Sequence, residues 1–240
     1  MKGSVYLIPT FLYEGAIQAL PPYLLEAAEQ CTVLFVENER SARRYLKLLK
    51  KEIVIDDFEW FTIGKAENEV LQAFTDRLKQ GKTIGIISEA GCPGIADPGQ
   101  LLVSAAQDMD ARVVPLTGPS SILLALMASG MNGQQFCFNG YLPIDTQQRT
   151  KAIKELETES ARKNRTQVFI ETPYRNNQLM ETLLKVCQPS TKLCVAVNIT
   201  GPNEWIKTRT VAHWKKQPPS LHKQPAIFLI LAETGHASRR

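Results

Sequence analysis

The chain has 240 residues, 44% hydrophobic and 22% charged, a composition that excludes a disordered polymer and suits one or two globular domains. No apolar run approaches the ~20 residues of a membrane span, and the short run Val5–Ile8 ends at Pro9, as a strand does and a signal peptide does not. The net charge of +4 hides an asymmetry: residues 1–116 carry 12 basic and 16 acidic side chains, residues 117–240 carry 16 and 8, and nothing between Arg112 and Asp145 is charged.

In chain order, Val5–Ile8 is the first expected strand. Pro21–Glu29 reads as a helix opened by a proline pair, where missing N–H groups cost least, and Thr32–Val36 as a buried strand. Ser41–Leu49 has an amphipathic helical pattern, and Ile53–Ile55 reads as a short strand. Glu67–Gln80 sets Val70, Leu71, Phe74 and Leu78 at helical spacing before Gly81 stops it. Thr83–Ile87 is a continuous apolar strand of the parallel-sheet kind, followed by a helix over Gly99–Gln107 and a strand over Arg112–Pro115. This alternation predicts an α/β domain over 1–116, a largely parallel sheet with helices on its faces. The charge switch falls in the turn Pro115-Leu116-Thr117-Gly118-Pro119, so a second α/β domain with a mixed sheet is expected over 117–240.

That second domain reads as a helix over Ile122–Ser129, a strand over Phe136–Phe138 and a charged helix over Arg149–Arg162. A strand over Thr166–Ile170, a helix over Asn177–Val186 and a strand over Leu193–Val197 follow. The closing strands are Glu204–Val211 and Ala226–Ala232; Lys215 and Lys216 read as a solvated loop, and His236–Arg240 as a frayed tail. Arg149, Lys151, Lys154, Arg162, Lys163 and Arg165 lie on or beside one helix and are candidates for a basic rim facing a polyanion; on charge alone a solvated surface is the plainer account.

Five cysteines, widely spaced and without C-x-x-C, argue against a disulfide framework and for the cytosol; three scattered histidines give no zinc pattern. The most informative segment is Ile84–Gly99: a strand, then Ser88-Glu89-Ala90-Gly91-Cys92-Pro93-Gly94 and Ile95-Ala96-Asp97-Pro98-Gly99. Loops at the carboxyl ends of parallel strands form the ligand crevice, and three glycines let a ligand approach bare backbone; an elaborate turn with Asp97 capping the next helix is the alternative. It is neither G-x-G-x-x-G nor a phosphate loop. Cys92 has no histidine near it in sequence to activate it as a nucleophile, and Trp60, Trp205 and Trp214 are read as packing before stacking.

Ser88–Pro93, Ile95–Gly99 and Pro115–Ser121 resemble the S-D-A-G-T-P, I-S-D-P-G and P-x-P-G-P-S-A motifs of the ribosomal small-subunit RNA 2′-O-ribose methyltransferase family, a branch of the tetrapyrrole methylases. Glu37-Asn38-Glu39-Arg40 resembles its E-D-T-R, Phe138–Pro143 its F-x-G-F-L-P, and Glu171-Thr172-Pro173-Tyr174-Arg175 its E-S-P-H-R. The six motifs keep the family's order from Tyr6 to about Leu231. Glu89 stands for Asp, Cys92 for Thr, and Ala196-Val197-Asn198-Ile199-Thr200 for A-R-E-[LI]-T, and the chain ends without the family's small C-terminal extension.

The resemblance implies two α/β domains with S-adenosylmethionine (SAM) in the cleft between them and no metal. The donor site implied is Pro9, Ser88, Glu89, Ala90, Gly91, Ile95, Ala96, Asp97, Ser120, Ser121, Leu142, Val197, Pro225 and Ala226. Glu37, Arg40, Glu89, Glu171 and Arg175 are the catalytic candidates, with Glu37, Glu89 and Glu171 the carboxylates eligible as general base. Glu37–Arg40 and Glu171–Arg175 read equally as simple structural ion pairs. The acceptor implied is a ribose 2′-hydroxyl of ribosomal RNA or the small subunit; a tetrapyrrole or other small molecule, and a non-catalytic SAM-binding protein, are the alternatives. Gly91→Val is expected to abolish donor binding and leave the fold. A homodimer is expected, with part of the uncharged Val113–Ile144 stretch buried between copies.

Overall fold

A computed structural model describes residues 3–63 and 67–233, with backbone alone at 67–69; the expected tail His236–Arg240 lies outside the described residues. The chain divides into two compact units, Met1–Ser120 and Ser121–Arg240.

The first unit carries β1 (Ser4–Ile8), β2 (Val33–Val36), β3 (Glu59–Thr62), β4 (Thr83–Ile87) and β5 (Arg112–Pro115) in the order β3-β2-β4-β1-β5, every neighbour parallel. Alternate residues of each strand face opposite sides, so a continuous apolar run serves both faces at once. Leu34 and Val36 join Ile8 and Ile87 in a cluster with α1 (Leu24–Glu29) and α2 (Glu39–Leu49). Val33 and Phe35 join Val5, Ile84 and Ile86 under α3 (Glu67–Lys79) and α4 (Gln100–Asp108). Phe35 stacks on Phe61 at 4.7 Å and meets Phe74 edge-on at 5.2 Å.

Two expectations fail in this unit. Ile53–Ile55 is not a strand: residues Ile55–Asp57 make a 3₁₀ turn, and the place beside β2 is taken by β3. That edge strand is held by Arg77 on α3, whose Nε donates to Glu59 Oε2 at 2.8 Å. The helix expected from Ser41 begins at Glu39, because the Asn38 carboxamide accepts from the Arg40 and Ser41 N–H groups at 3.0 and 3.2 Å.

The second unit carries β6 (Phe136–Tyr141), β7 (Thr166–Ile170), β8 (Lys192–Val197), β9 (Trp205–Thr210) and β10 (Ala226–Leu231) in the order β6-β7-β10-β8-β9. Only β6 and β7 are parallel; the remaining pairs are antiparallel. α6 (Thr146–Lys163), α7 (Asn176–Val186) and α8 (Val211–Lys216) bury Ile153, Leu179, Leu183 and Trp214 against Phe169, Val195 and Phe228. The alternate strand residues Cys194, Ala196, Ile227 and Leu229 are equally buried, and α5 (Ser121–Ser129) packs across β8, β9 and β10. α8 corrects the expected solvated loop: Thr210 Oγ1 caps it by accepting from the His213 N–H at 3.2 Å, and Lys215 and Lys216 are its last turn.

Candidate functional site

In the first unit the sequence-predicted residues gather at the carboxyl ends of the parallel strands. Pro9 follows β1, Glu37 follows β2, Ser88–Gly91 follow β4 and the Thr117–Ser120 segment follows β5. The ends are laced together. The Thr10 N–H donates to Gly91 O at 2.8 Å, its hydroxyl to Ser88 O at 3.3 Å, and Ser88 Oγ to Gly91 O at 3.2 Å. Cys92 Sγ lies 3.6 Å from Pro119 O and 3.8 Å from Gly118 O. Burial, with Asp97 nearby, raises this thiol's pKa, which disfavours the thiolate a nucleophile needs.

Two glycines explain themselves here. A Cβ on Gly118 would lie 2.2 Å from Pro9 Cβ, so the segment after β5 can approach β1 only without a side chain. Gly91 has φ +81°, and a Cβ there would meet Leu12 Cδ2 at 3.2 Å. Gly91→Val would therefore strain the loop itself, so it does not separate ligand binding from folding as expected. Ala96 shows the same left-handed bend (φ +65°) without being glycine, a local strain of the kind that collects at ligand sites. Pro9 is buried, its ring closed off by Gly118 and its carbonyl taken by the Tyr45 hydroxyl at 2.8 Å, so it shapes the site more than it lines it.

The acidic residues form one group. Glu37 Oε2 accepts from the Glu89 N–H at 3.0 Å, and the Ser41 hydroxyl donates to Glu89 Oε1 at 3.4 Å. Asp97, half-buried, has its carboxyl pushed up to about 7 by burial and then by the charges of Glu37 and Glu89. No ion pair joins Glu37 to Arg40, which removes the surface-pair reading. Arg40, Arg44, Asn38, Ser41, Phe11, Leu12, Glu14, Glu89 and Ala90 line a cleft of about 430 Å³, within the usual range for small-molecule sites. Arg44 is paired with Glu14. Phe11 and Arg44 escaped the sequence reading; the i,i+4 step from Arg40 on a helix that begins at a strand end was the available signal.

In the second unit Leu142, Glu171, Arg175, Val197, Pro225 and Ala226 lie at one end of the sheet, with Ala226 opposite Val197 in register. Ser121 opens α5, half-buried. The Leu142 and Val197 side chains belong to the core, so only their backbone is available to a ligand. The turn after β8 is unusual. Asn198 and Thr200 have φ of +50° and +67°, and Thr200 Oγ1 is buried without a partner. A β-branched residue is uncommon in that conformation, and strain of this kind collects at ligand sites. Within the first unit the residues fit SAM: its sulfonium matches the carboxylates of Asp97, Glu89 and Glu37.

Glu171 is engaged within its own loop. Its side chain is 1% exposed, and Oε1 accepts from the Thr172 N–H at 2.6 Å and from Arg175 at 2.7 and 3.0 Å. The pair braces the loop after β7. The expected basic rim on α6 is reduced to Lys154 and Arg162, which are exposed and outside any ion pair among the described residues. Arg149 is buried, its guanidinium donating to Ile144 O at 2.9 Å. Glu159 engages Lys163 at 2.5 Å and Arg165 at 3.5 Å, and Lys151 faces Glu155 at 3.9 Å. The tryptophans pack: Trp214 and Trp60 donate their indole N–H to Leu193 O and Ile55 O, and Trp205 lies against the core. Among the described residues no group of three or more His, Cys, Asp or Glu side chains is placed to hold a metal ion, and no helix is long and apolar enough to cross a membrane.

The sequence profile of the tetrapyrrole (corrin/porphyrin) methylases matches residues 15–214. A protein of Escherichia coli O157:H7 named ribosomal RNA small subunit methyltransferase I is 27% identical over 99% of this chain and 80% of its own length. One of the same name from Haemophilus influenzae is 28% identical over 96% and 79%. Among solved structures, the methyltransferase CobJ superposes with a TM-score of 0.61 at 16% identity, covering 100% of this chain and 97% of that one. A Thermus thermophilus uroporphyrin-III C-methyltransferase complexed with S-adenosylhomocysteine superposes with 0.58 at 15% identity, covering 95% and 97%.

Proposed function

The chain belongs to the tetrapyrrole (corrin/porphyrin) methylase family, and on that premise we propose that this SAM-dependent methyltransferase modifies a ribose 2′-hydroxyl of small-subunit ribosomal RNA in the cytoplasm. The observation that carries the reading is the cleft where Arg40, in no ion pair among the described residues, stands beside Glu89 at the edge of the donor loop. A guanidinium suits a phosphate, and a carboxylate next to it suits the sugar hydroxyl of the same nucleotide. The relatives named ribosomal RNA small subunit methyltransferase I support small-subunit RNA as the substrate class.

Bound SAM supplies an electrophilic methyl group on a sulfonium. The chain's own residues supply position and proton control, and alignment alone is worth ~7–11 kcal/mol of barrier. Glu37 holds the donor loop through the Glu89 N–H. Asp97 faces the donor's positive charge, and Glu89 accepts the proton of the attacking hydroxyl. Arg40 fixes the acceptor's phosphate. Methyl transfer from labelled SAM to small ribosomal subunits, to deproteinised RNA and to porphyrinogens, run in parallel, tests the acceptor: label on RNA ribose supports it, and label in porphyrinogen alone overturns it.

The homodimer belongs to the same proposal. Its support is the apolar side chains exposed within the uncharged stretch, Met127 at 78% and Ile144 at 66% among them. A monomer in sedimentation at micromolar concentration overturns it.

A further inference from the structure

The second unit presents an aromatic ring for which the fold has no use. We propose that Tyr174, with Lys223 beside it, is a stacking platform for an unpaired base of the RNA acceptor; the inference rests on the RNA reading above. Tyr174 is 72% exposed, in a loop fixed from both sides. On one side Glu171 gathers the Thr172 N–H and the Arg175 guanidinium, and the Arg175 N–H donates to Thr172 O at 2.9 Å. On the other the Lys223 N–H donates to Pro173 O at 3.1 Å, with Lys223 in the left-handed region at φ +58°. That second loop is pinned in turn: the Leu221 N–H donates to Asn177 Oδ1 at 2.7 Å and Asn176 Nδ2 to Gln224 O at 2.7 Å. The outcome is a rigid base under an uncovered ring, with Lys223 Nζ 6.0 Å from its centroid.

A single exposed tyrosine needs no explanation. Here the exposure is combined with a built support and a fixed cation. One ring face under an ammonium leaves the other for a base, and the ammonium is placed to meet a backbone phosphate; stacking with electrostatic tracking is how single-stranded nucleic acid is held. The local charge favours a polyanion, since the nearby carboxylate of Glu171 is buried and spent on Arg175. The platform stands at the end of the sheet where Val197 and Ala226 meet, so an RNA stacked there lies beside the residues assigned to the donor.

The test uses the full chain, deproteinised small-subunit ribosomal RNA and S-adenosylhomocysteine, with affinities for both ligands and thermal unfolding measured on each variant. Tyr174→Ala should weaken RNA binding about five- to 150-fold, the loss of one stacked base, while unfolding and S-adenosylhomocysteine affinity stay at wild-type values. Tyr174→Trp should retain RNA affinity. Lys223→Asn, which tolerates the left-handed backbone, should lower the slope of log affinity against log salt by about 0.7, one phosphate contact on a single strand. Wild-type RNA affinity in Tyr174→Ala overturns the platform and leaves the RNA reading standing. Absence of RNA binding by the wild-type chain overturns both. An equal loss of RNA and S-adenosylhomocysteine affinity in Tyr174→Ala also overturns the platform, because the defect would then lie in the fold.

Discussion

Asp97→Asn probes whether the half-buried charge on the glycine-rich loop answers the donor's positive charge. The carboxyl is raised from 3.8 to about 7, first by burial and then by Glu37 and Glu89. A raised folded-state value means that Asp97 favours the folded state fully below about pH 4 and loses that contribution as pH climbs through about 7. The donor reverses the sense of the effect, because a sulfonium prefers the ionised form. About one tenth of the carboxyl is ionised at pH 6 and about nine tenths at pH 8. If the donor needs the ionised state, its apparent affinity rises about tenfold over that interval, about 1.4 kcal/mol. S-adenosylhomocysteine shares the amino-acid and adenosine groups and lacks the charge, so the ratio of the two affinities isolates the sulfonium. Titration calorimetry at pH 6, 7 and 8 should show that ratio rising about tenfold in the wild type and staying flat in Asp97→Asn. A flat wild-type ratio, or an equal rise in the variant, would refute the assignment.

Gly118→Ala should lower thermal stability by about 1–3 kcal/mol or more, since its Cβ would stand 2.2 Å from Pro9 Cβ; an unchanged unfolding temperature would show that the two loops separate freely. Glu171→Ala should cost about 2–3 kcal/mol in chemical denaturation, below the ~3–5 kcal/mol for breaking a fully buried pair because Arg175 keeps a third of its side chain in water, and a purely catalytic loss with wild-type stability would contradict the bracing role. Arg40→Ala, with no ion pair to lose among the described residues, should leave stability within about 0.5 kcal/mol and raise the RNA KM about tenfold, the worth of one charge-assisted contact; an unchanged KM would remove Arg40 from the acceptor site.

What was legible in the sequence follows its physics. Thr83–Ile87 was read to the residue because a strand buried in a parallel sheet leaves an uninterrupted apolar run. β3 was missed because an edge strand is defined by its neighbour: Glu59-Trp60-Phe61-Thr62 is polar at both ends and becomes a strand by pairing with Val33–Val36. α8 was misread because six residues carry too little periodicity, although Thr210 followed by Val211 and Trp214 held both the cap and the buried pair. The donor loop was found through motif order. Its chemistry was not, because the raised pKa of Asp97 depends on burial and on the charges of Glu37, brought by β2 from far along the chain, and Glu89 at the end of β4. Glu171 shows the converse: the motif marked it as important, and only burial reveals that its work is to hold Arg175.

The charge asymmetry shows why composition locates a domain better than a surface. The excess of basic residues after 117 suggested α6 as the RNA-facing rim, since six of them fall on or beside that helix. Local geometry spends most of them. A helix places residues four apart on one face, so Glu155 and Glu159 meet Lys151 and Lys163, and Arg149 is drawn into the interior by the Ile144 carbonyl. Such surface pairs add little stability, yet they cancel the field a phosphate would sense. Of the basic residues of the second unit outside any ion pair among the described residues, Lys154 and Arg162 stay on α6, while Lys207 and Arg209 lie on β9, Lys215 and Lys216 at the end of α8, and Lys223 under Tyr174. On β9 the charges have a second use, since that strand is a sheet edge and cations there discourage pairing with another chain. On the proposal made above, the part of the excess that would serve an RNA acceptor is the part held next to an exposed ring at one end of the sheet, where a cation and a stacking surface can act on the same nucleotide.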